Sequence, residues 1–153
     1  MGVGVVDSEY GALSFIFSTV LSPVRTDSLA ERLYTLHGHL SGVIQQWQPS
    51  VVAVEKPFVA HNVRAAMAVG QAQAVAMVCA AQSGLSVSSY TPSEVKKAVT
   101  DYGASSKAQV QEMVKILLGL PDEVRQPPDA ADALAVAICH INANHVRELV
   151  ISD

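Results

Sequence analysis

The sequence predicts an α/β domain, and three observations carry that prediction. Apolar runs of strand length alternate with longer segments whose apolar residues recur at helical spacing. Two helical segments open on a capping box, a Ser or Thr followed three residues later by Glu. A continuous apolar run, residues 51–55, stands between Pro49 and Pro57, the pattern of a strand buried on both faces. At 153 residues and 50% hydrophobic content the chain can bury one sizeable core. Residues 1–145 read as that domain and 146–153 as a C-terminal tail.

Residues 2–6 and 13–20 are the first strand candidates, joined by the polar, glycine-ending link Asp7-Ser-Glu-Tyr-Gly11 of a hairpin. Ser28-Leu-Ala-Glu31 is a capping box. Leu29, Leu33, Leu36, Leu40, Val43, Ile44 and Trp47 follow at helical spacing, so an amphipathic helix runs to about Gln48 and stops at Pro49. Trp47 and Tyr34 read as packing residues.

The strand at 51–55 ends in Glu55. Open α/β sheets place their chemistry at the C-terminal tips of such strands, although a lone glutamate there is more often a solvated strand end. Phe58 follows in a loop, either as a core anchor or as an exposed ring on which a base can stack. A helix rich in small residues covers about 62–82, suited to close packing on the sheet or on a second copy.

Residues 85–90 form a further strand candidate. Thr91-Pro-Ser-Glu94 caps a short helix carrying Lys96 and Lys97. Ser106-Lys-Ala-Gln109 opens the next, with Val110, Met113, Val114, Ile116 and Leu117 on its buried side. Lys107 lies in the first turn, where the helix dipole slightly disfavours a cation, so phosphate contact and plain solvation are both open readings. The last helix starts at Pro127-Pro128 and continues through an apolar body to His140, which reads as a helix-end histidine. Residues 142–153 look like a fraying terminus.

Asp129 and Asp132 are three residues apart on that helix and can face one point. A hard divalent cation would relieve their repulsion. On spacing alone the simpler assignment, one aspartate capping the helix and the other solvated, is favoured.

Net charge is −4, mildly against a nucleic-acid partner, yet residues 56–93 contain no acid at all, which leaves room for a local basic face. Cys79 and Cys139 lack ligand spacing and read as buried free thiols, in keeping with a reducing cytoplasm. No signal peptide is expected at the start of this sequence. The longest apolar stretch, 65–81, is interrupted by Gln71 and Gln73 and falls short of the ~20 residues of a membrane span, so no membrane contact is expected.

Taken together, Ala53-Val-Glu55-Lys-Pro-Phe58, Val69-Gly-Gln-Ala72, Val95-Lys-Lys-Ala-Val99, Lys107-Ala-Gln-Val-Gln111 and Asp129-Ala-Ala-Asp132-Ala-Leu-Ala resemble the bacterial Holliday junction resolvases of the RuvC family, block by block along nearly the whole chain. The resemblance reverses the odds for the aspartates. It implies a ribonuclease-H-like fold, a mixed sheet flanked by helices, and a cytoplasmic homodimer that cuts four-way DNA junctions alongside branch-migration motor proteins. It also implies two magnesium ions per site, with manganese as a substitute, held by Glu55, Asp129 and Asp132 as catalytic ligands. Phe58, Lys96 and Lys107 would be the DNA-contacting residues.

Two departures qualify the resemblance. The family begins with a strand ending in Asp-Pro-Gly, whose aspartate is a further ligand, and this sequence starts after it; Asp7 lies too far along to replace it. That strand would be the central one, between 2–6 and 51–55, and its loss should exceed the ~5–15 kcal/mol by which a domain is stable. A start codon assigned too late, or a shortened gene, is the corresponding expectation, and a junction-binding protein of impaired catalysis is the alternative function. A nuclease of the same superfamily with another substrate is a third. The second departure is Gln73-Ala74, where the family usually has Arg-Gly.

Overall fold

In a computed structural model the elements follow in the order β1 (Gly2–Glu9), β2 (Ala12–Val20), α1 (Leu29–Trp47), β3 (Val51–Glu55), α2 (Val63–Gln82), β4 (Ser86–Tyr90), α3 (Pro92–Thr100), α4 (Lys107–Leu117) and α5 (Pro128–Ile151). The structure describes residues 1–57, 62–121, 123–124 and 126–151, with side chains described only before residue 146 in the last helix.

β1 and β2 form an antiparallel hairpin whose turn is Tyr10-Gly11, both at positive φ (51° and 83°). Two such residues match the right-handed twist of the flanking strands, so the strands run closer to the turn than the polar Asp7-Ser-Glu segment suggests. β3 and β4 pair in parallel, with Glu55 opposite Tyr90. Among the described residues these are two separate two-stranded sheets, and no strand is hydrogen-bonded between β1 and β3.

Both predicted capping boxes form and Ser106 makes a third, with Ser28, Thr91 and Ser106 each accepting from the backbone N–H three residues on. Each satisfies one of the helix's orphan donors, which fixes where α1, α3 and α4 start. Helices α1 and α2 bury Leu36, Leu40, Ile44, Ala76 and Cys79 together with Val54 of β3. On the other side α3, α4 and α5 share a core of Val95, Val99, Val110, Val114, Leu134 and Ile138. The sheets lie between these layers, as an α/β fold requires.

Several expectations are corrected. Ile116 is 62% exposed, because the buried stripe of α4 runs through Val110 and Val114. Tyr34 is 81% exposed, whereas Trp47 stacks on Phe17 with ring centroids 5.3 Å apart. The last helix continues to Ile151, past the point at which fraying was expected. α2 spans 20 residues with a mean hydropathy of 1.3, long and apolar enough by composition to cross a membrane. The two cysteines are free and buried, and burial pushes the Cys139 thiol up to about 11.

Candidate active site

Glu55 is the last residue of β3, and the Lys56 N–H donates to the Tyr90 carbonyl at 2.7 Å, so the parallel ladder extends one step past it and holds the strand tip in place. Asp129 and Asp132 lie in the first two turns of α5. Three contacts hold that helix in place. The Ser18 hydroxyl and the Gln126 side-chain oxygen lie 2.6 Å apart, tying the incoming loop to β2. The Asn142 amide donates to the Ala98 carbonyl, tying α5 to α3.

The third contact is a close approach of backbones. A Cβ built on Gly2 would lie 1.8 Å from the Asp129 carbonyl oxygen, and one on Gly4 would lie 2.9 Å from the Leu134 nitrogen. Only glycine lets β1 lie this close to α5. The Gly-Val-Gly pattern carried this signal, and reading it as ordinary strand sequence missed it.

Lys107 joins the acids. Its ammonium is 2.7 Å from Asp132 Oδ2, with the two side chains 60% and 37% exposed. A hydrogen bond to Asp132, then the charges of Asp132, Asp129 and Glu55, hold the lysine above its usual range. All three acids therefore act on one cation. Lost hydration, and after it the Asp132 charge, raises the Glu55 carboxyl above the usual carboxylate range, while Lys107 and Lys96 pull it back. Lys96 acts on the same group through its charge from α3. The turn that delivers Lys107 is held by Thr100, whose hydroxyl donates to the Lys96 carbonyl at 2.8 Å and lies 2.7 Å from the hydroxyl of buried Ser105.

Of the residues expected at the site, Glu55, Asp129, Asp132, Lys96 and Lys107 share one neighbourhood. Phe58 lies outside the described residues. His140 is not at a helix end: it is buried within α5, with Nδ1 2.8 Å from the Tyr90 hydroxyl and Nε2 2.9 Å from the Asn144 amide. Tyr90 is the register partner of Glu55, so this bridge links the β3–β4 tip to α5. Nothing in the spacing of Tyr90 and His140, 50 residues apart, announced it.

Carboxylate oxygens are the donors that hard divalent cations prefer, so the donor type fits a metal such as magnesium. The assembled set does not: among the described residues no three His, Cys, Asp or Glu side chains stand close enough to hold one ion. Asp132 is instead engaged by Lys107.

The family model described as "Crossover junction endodeoxyribonuclease RuvC" matches residues 1–140. A crossover junction endodeoxyribonuclease RuvC of Dehalococcoides mccartyi is 46% identical over 140 residues, 92% of this chain and 84% of the relative. That of Caldanaerobacter subterraneus subsp. tengcongensis is 40% identical over 149 residues, 97% and 89% of the two chains. Among solved structures, Thermus thermophilus RuvC superposes with a TM-score of 0.84 at 30% identity, over 95% of this chain and 89% of that one. The same protein in complex with Holliday junction substrate gives 0.87 at 31% identity, over 95% and 88%.

Proposed function

The chain belongs to the crossover junction endodeoxyribonuclease RuvC family, and from that premise we propose that Glu55, Asp129 and Asp132 form the acidic centre with which it cuts four-way DNA junctions. Its activity is that of a structure-specific endonuclease acting in recombination and repair, its partner is junction DNA, and its fold is ribonuclease-H-like. The reaction is metal-dependent hydrolysis of the phosphodiester backbone. The observation that carries the site assignment is that Glu55 of β3 and Asp129 and Asp132 of α5 line one cavity, with the Lys107 ammonium 2.7 Å from Asp132 Oδ2.

By family resemblance the metal would be magnesium, with manganese able to substitute, and Glu55, Asp129 and Asp132 would be its ligands once drawn closer together than they stand here. Bound there, the metal would supply an activated water and charge stabilisation for the leaving oxygen. Lys96 and Lys107 contact the DNA backbone and Phe58 stacks in the opened junction. The reading needs no histidine or serine nucleophile, consistent with His140 being held between Tyr90 and Asn144.

The enzyme acts as a homodimer. Val63, Met67, Ala74 and Val78 recur at helical spacing along α2 and are exposed, and a second copy meeting this stripe would bury it. That accounts for the high hydropathy of α2 without a membrane. A cytoplasmic location, cooperation with branch-migration motor proteins, and a division into a resolvase domain (1–145) and a tail (146–153) belong to the same reading.

Glu55→Gln tests it. The substitution keeps the size and hydrogen-bonding capacity of the side chain and removes its charge. Junction cleavage in magnesium should be lost while gel-shift affinity for the junction stays within about twofold. Cleavage at the wild-type rate would remove Glu55 from the mechanism.

A further inference from the structure

His140 is buried, and a buried imidazole needs partners for its nitrogens. The nitrogen of an amide only donates, so His140 Nε2 accepts from Asn144 at 2.9 Å, which leaves the ring proton on Nδ1, aimed at the Tyr90 hydroxyl oxygen 2.8 Å away. The two rings meet edge to face, at 67° with centroids 5.9 Å apart. Asn144 therefore sets the tautomer of His140, and His140 grips β4.

Tyr90 is placed to pass that grip on. It pairs with Glu55 across the parallel ladder and its carbonyl accepts from the Lys56 N–H, so it holds the Glu55 tip by its backbone and α5 by its side chain. α5 carries Asp129 and Asp132. Tyr90 and Ala53 also pack against the core that contains Leu134 and Ile138, but apolar packing is non-directional and tolerates sliding, whereas a hydrogen bond fixes a distance and an angle. His140 stands eight residues after Asp132, about 12 Å along the helix axis. A helix held only where Gly2 meets Asp129 is free to tilt about that point, and a second grip two turns past Asp132 removes the freedom.

We propose that Tyr90 and His140, with Asn144 orienting the imidazole, are positioning residues of the acidic centre: a strut between the β3–β4 tip and α5 that sets where Glu55 stands relative to Asp129 and Asp132. Its consequence for cleavage rests on the nuclease reading above. Its consequence for the strand tip rests on the bridge alone.

The test measures junction cleavage and amide hydrogen exchange on the whole chain. Tyr90→Phe removes one oxygen and keeps the ring. It should lower kcat on a synthetic four-way junction about tenfold, the effect of a small misplacement of a reacting group, and leave KM within about twofold. His140→Leu should do the same, while His140→Asn, whose amide nitrogen can stand where Nδ1 does, should recover about half of the wild-type rate. Combining Tyr90→Phe with His140→Leu should be no slower than His140→Leu alone, because both break one contact. Whether or not the chain cuts, the Lys56 amide should exchange about tenfold faster in Tyr90→Phe with the Val114 amide unchanged, since a general loss of stability would speed both. If His140→Leu fails to fold, Tyr90→Phe decides. A wild-type kcat or wild-type Lys56 exchange in Tyr90→Phe, a loss seen only in KM, or His140→Asn as slow as His140→Leu would overturn the proposal. If the unaltered chain does not cut, or Glu55→Gln cuts equally well, the nuclease reading fails and the Lys56 exchange alone decides the strut.

Discussion

Lys107 shows how much a single side chain can report about a site. Its sequence position, in the first turn of α4, left phosphate contact and solvation equally open. In the fold its ammonium contacts Asp132 and feels Asp129 and Glu55, so its placement is electrostatic. A largely exposed pair of this kind contributes little stability, which makes Lys107 a fair probe of DNA binding. Lys107→Met should weaken junction binding several-fold at low salt and reduce the slope of log affinity against log salt by about one. An unchanged slope in a salt titration would mean that no phosphate is contacted. The aspartates were legible as a pair from their spacing, and their join to Glu55 was legible only through the family resemblance. Helical periodicity cannot say which strand tip meets which helix end across 74 residues of chain.

Among the helices and strands, the starts of α1, α3 and α4 were readable because a cap is a local event: a hydroxyl, a backbone N–H and a carboxylate or amide within four residues. The β1–α5 contact was not readable, because it depends on two glycines meeting a helix 127 residues away in sequence. Gly2 and Asp129 touch backbone to backbone, and Gly4 sits under Leu134. Gly4→Ala should therefore push α5 away from β1 and destabilise the chain by about 1–3 kcal/mol, the cost of overpacking where a backbone atom blocks the new methyl. Thermal unfolding checks this; an unchanged midpoint would show that α5 moves away freely. The same displacement should carry Asp129 and Asp132 away from Glu55. Ile116 and Tyr34 were misread as buried for the opposite reason: apolar character at helical spacing gives a stripe, and tertiary packing decides how wide the buried part of it is.

For the molecule as a whole, the α/β class followed from alternating strand and helix patterns, but the sheet's division into β1–β2 and β3–β4 did not, since strand order is set by long-range pairing. The extent of α2 was legible, about 62–82 expected against Val63–Gln82 found, since Gln71 and Gln73 interrupt its apolar run without ending the helix. The exposed apolar stripe of α2 is the proposed dimer interface. Val78→Glu, placing a charge within that stripe, should shift the sedimentation of the chain from dimer to monomer, and an unaltered dimer would locate the interface elsewhere. Junction-specific cleavage at the acidic centre is best tested by the initial rate of strand cutting in magnesium on a synthetic four-way junction, set against a linear duplex of the same sequence. Nicks in the junction, none in the duplex, and loss of the junction nicks in Asp132→Asn are expected. Equal cutting of both substrates, or junction cutting that survives Asp132→Asn, would contradict the assignment of this chain as a junction nuclease working through these acids.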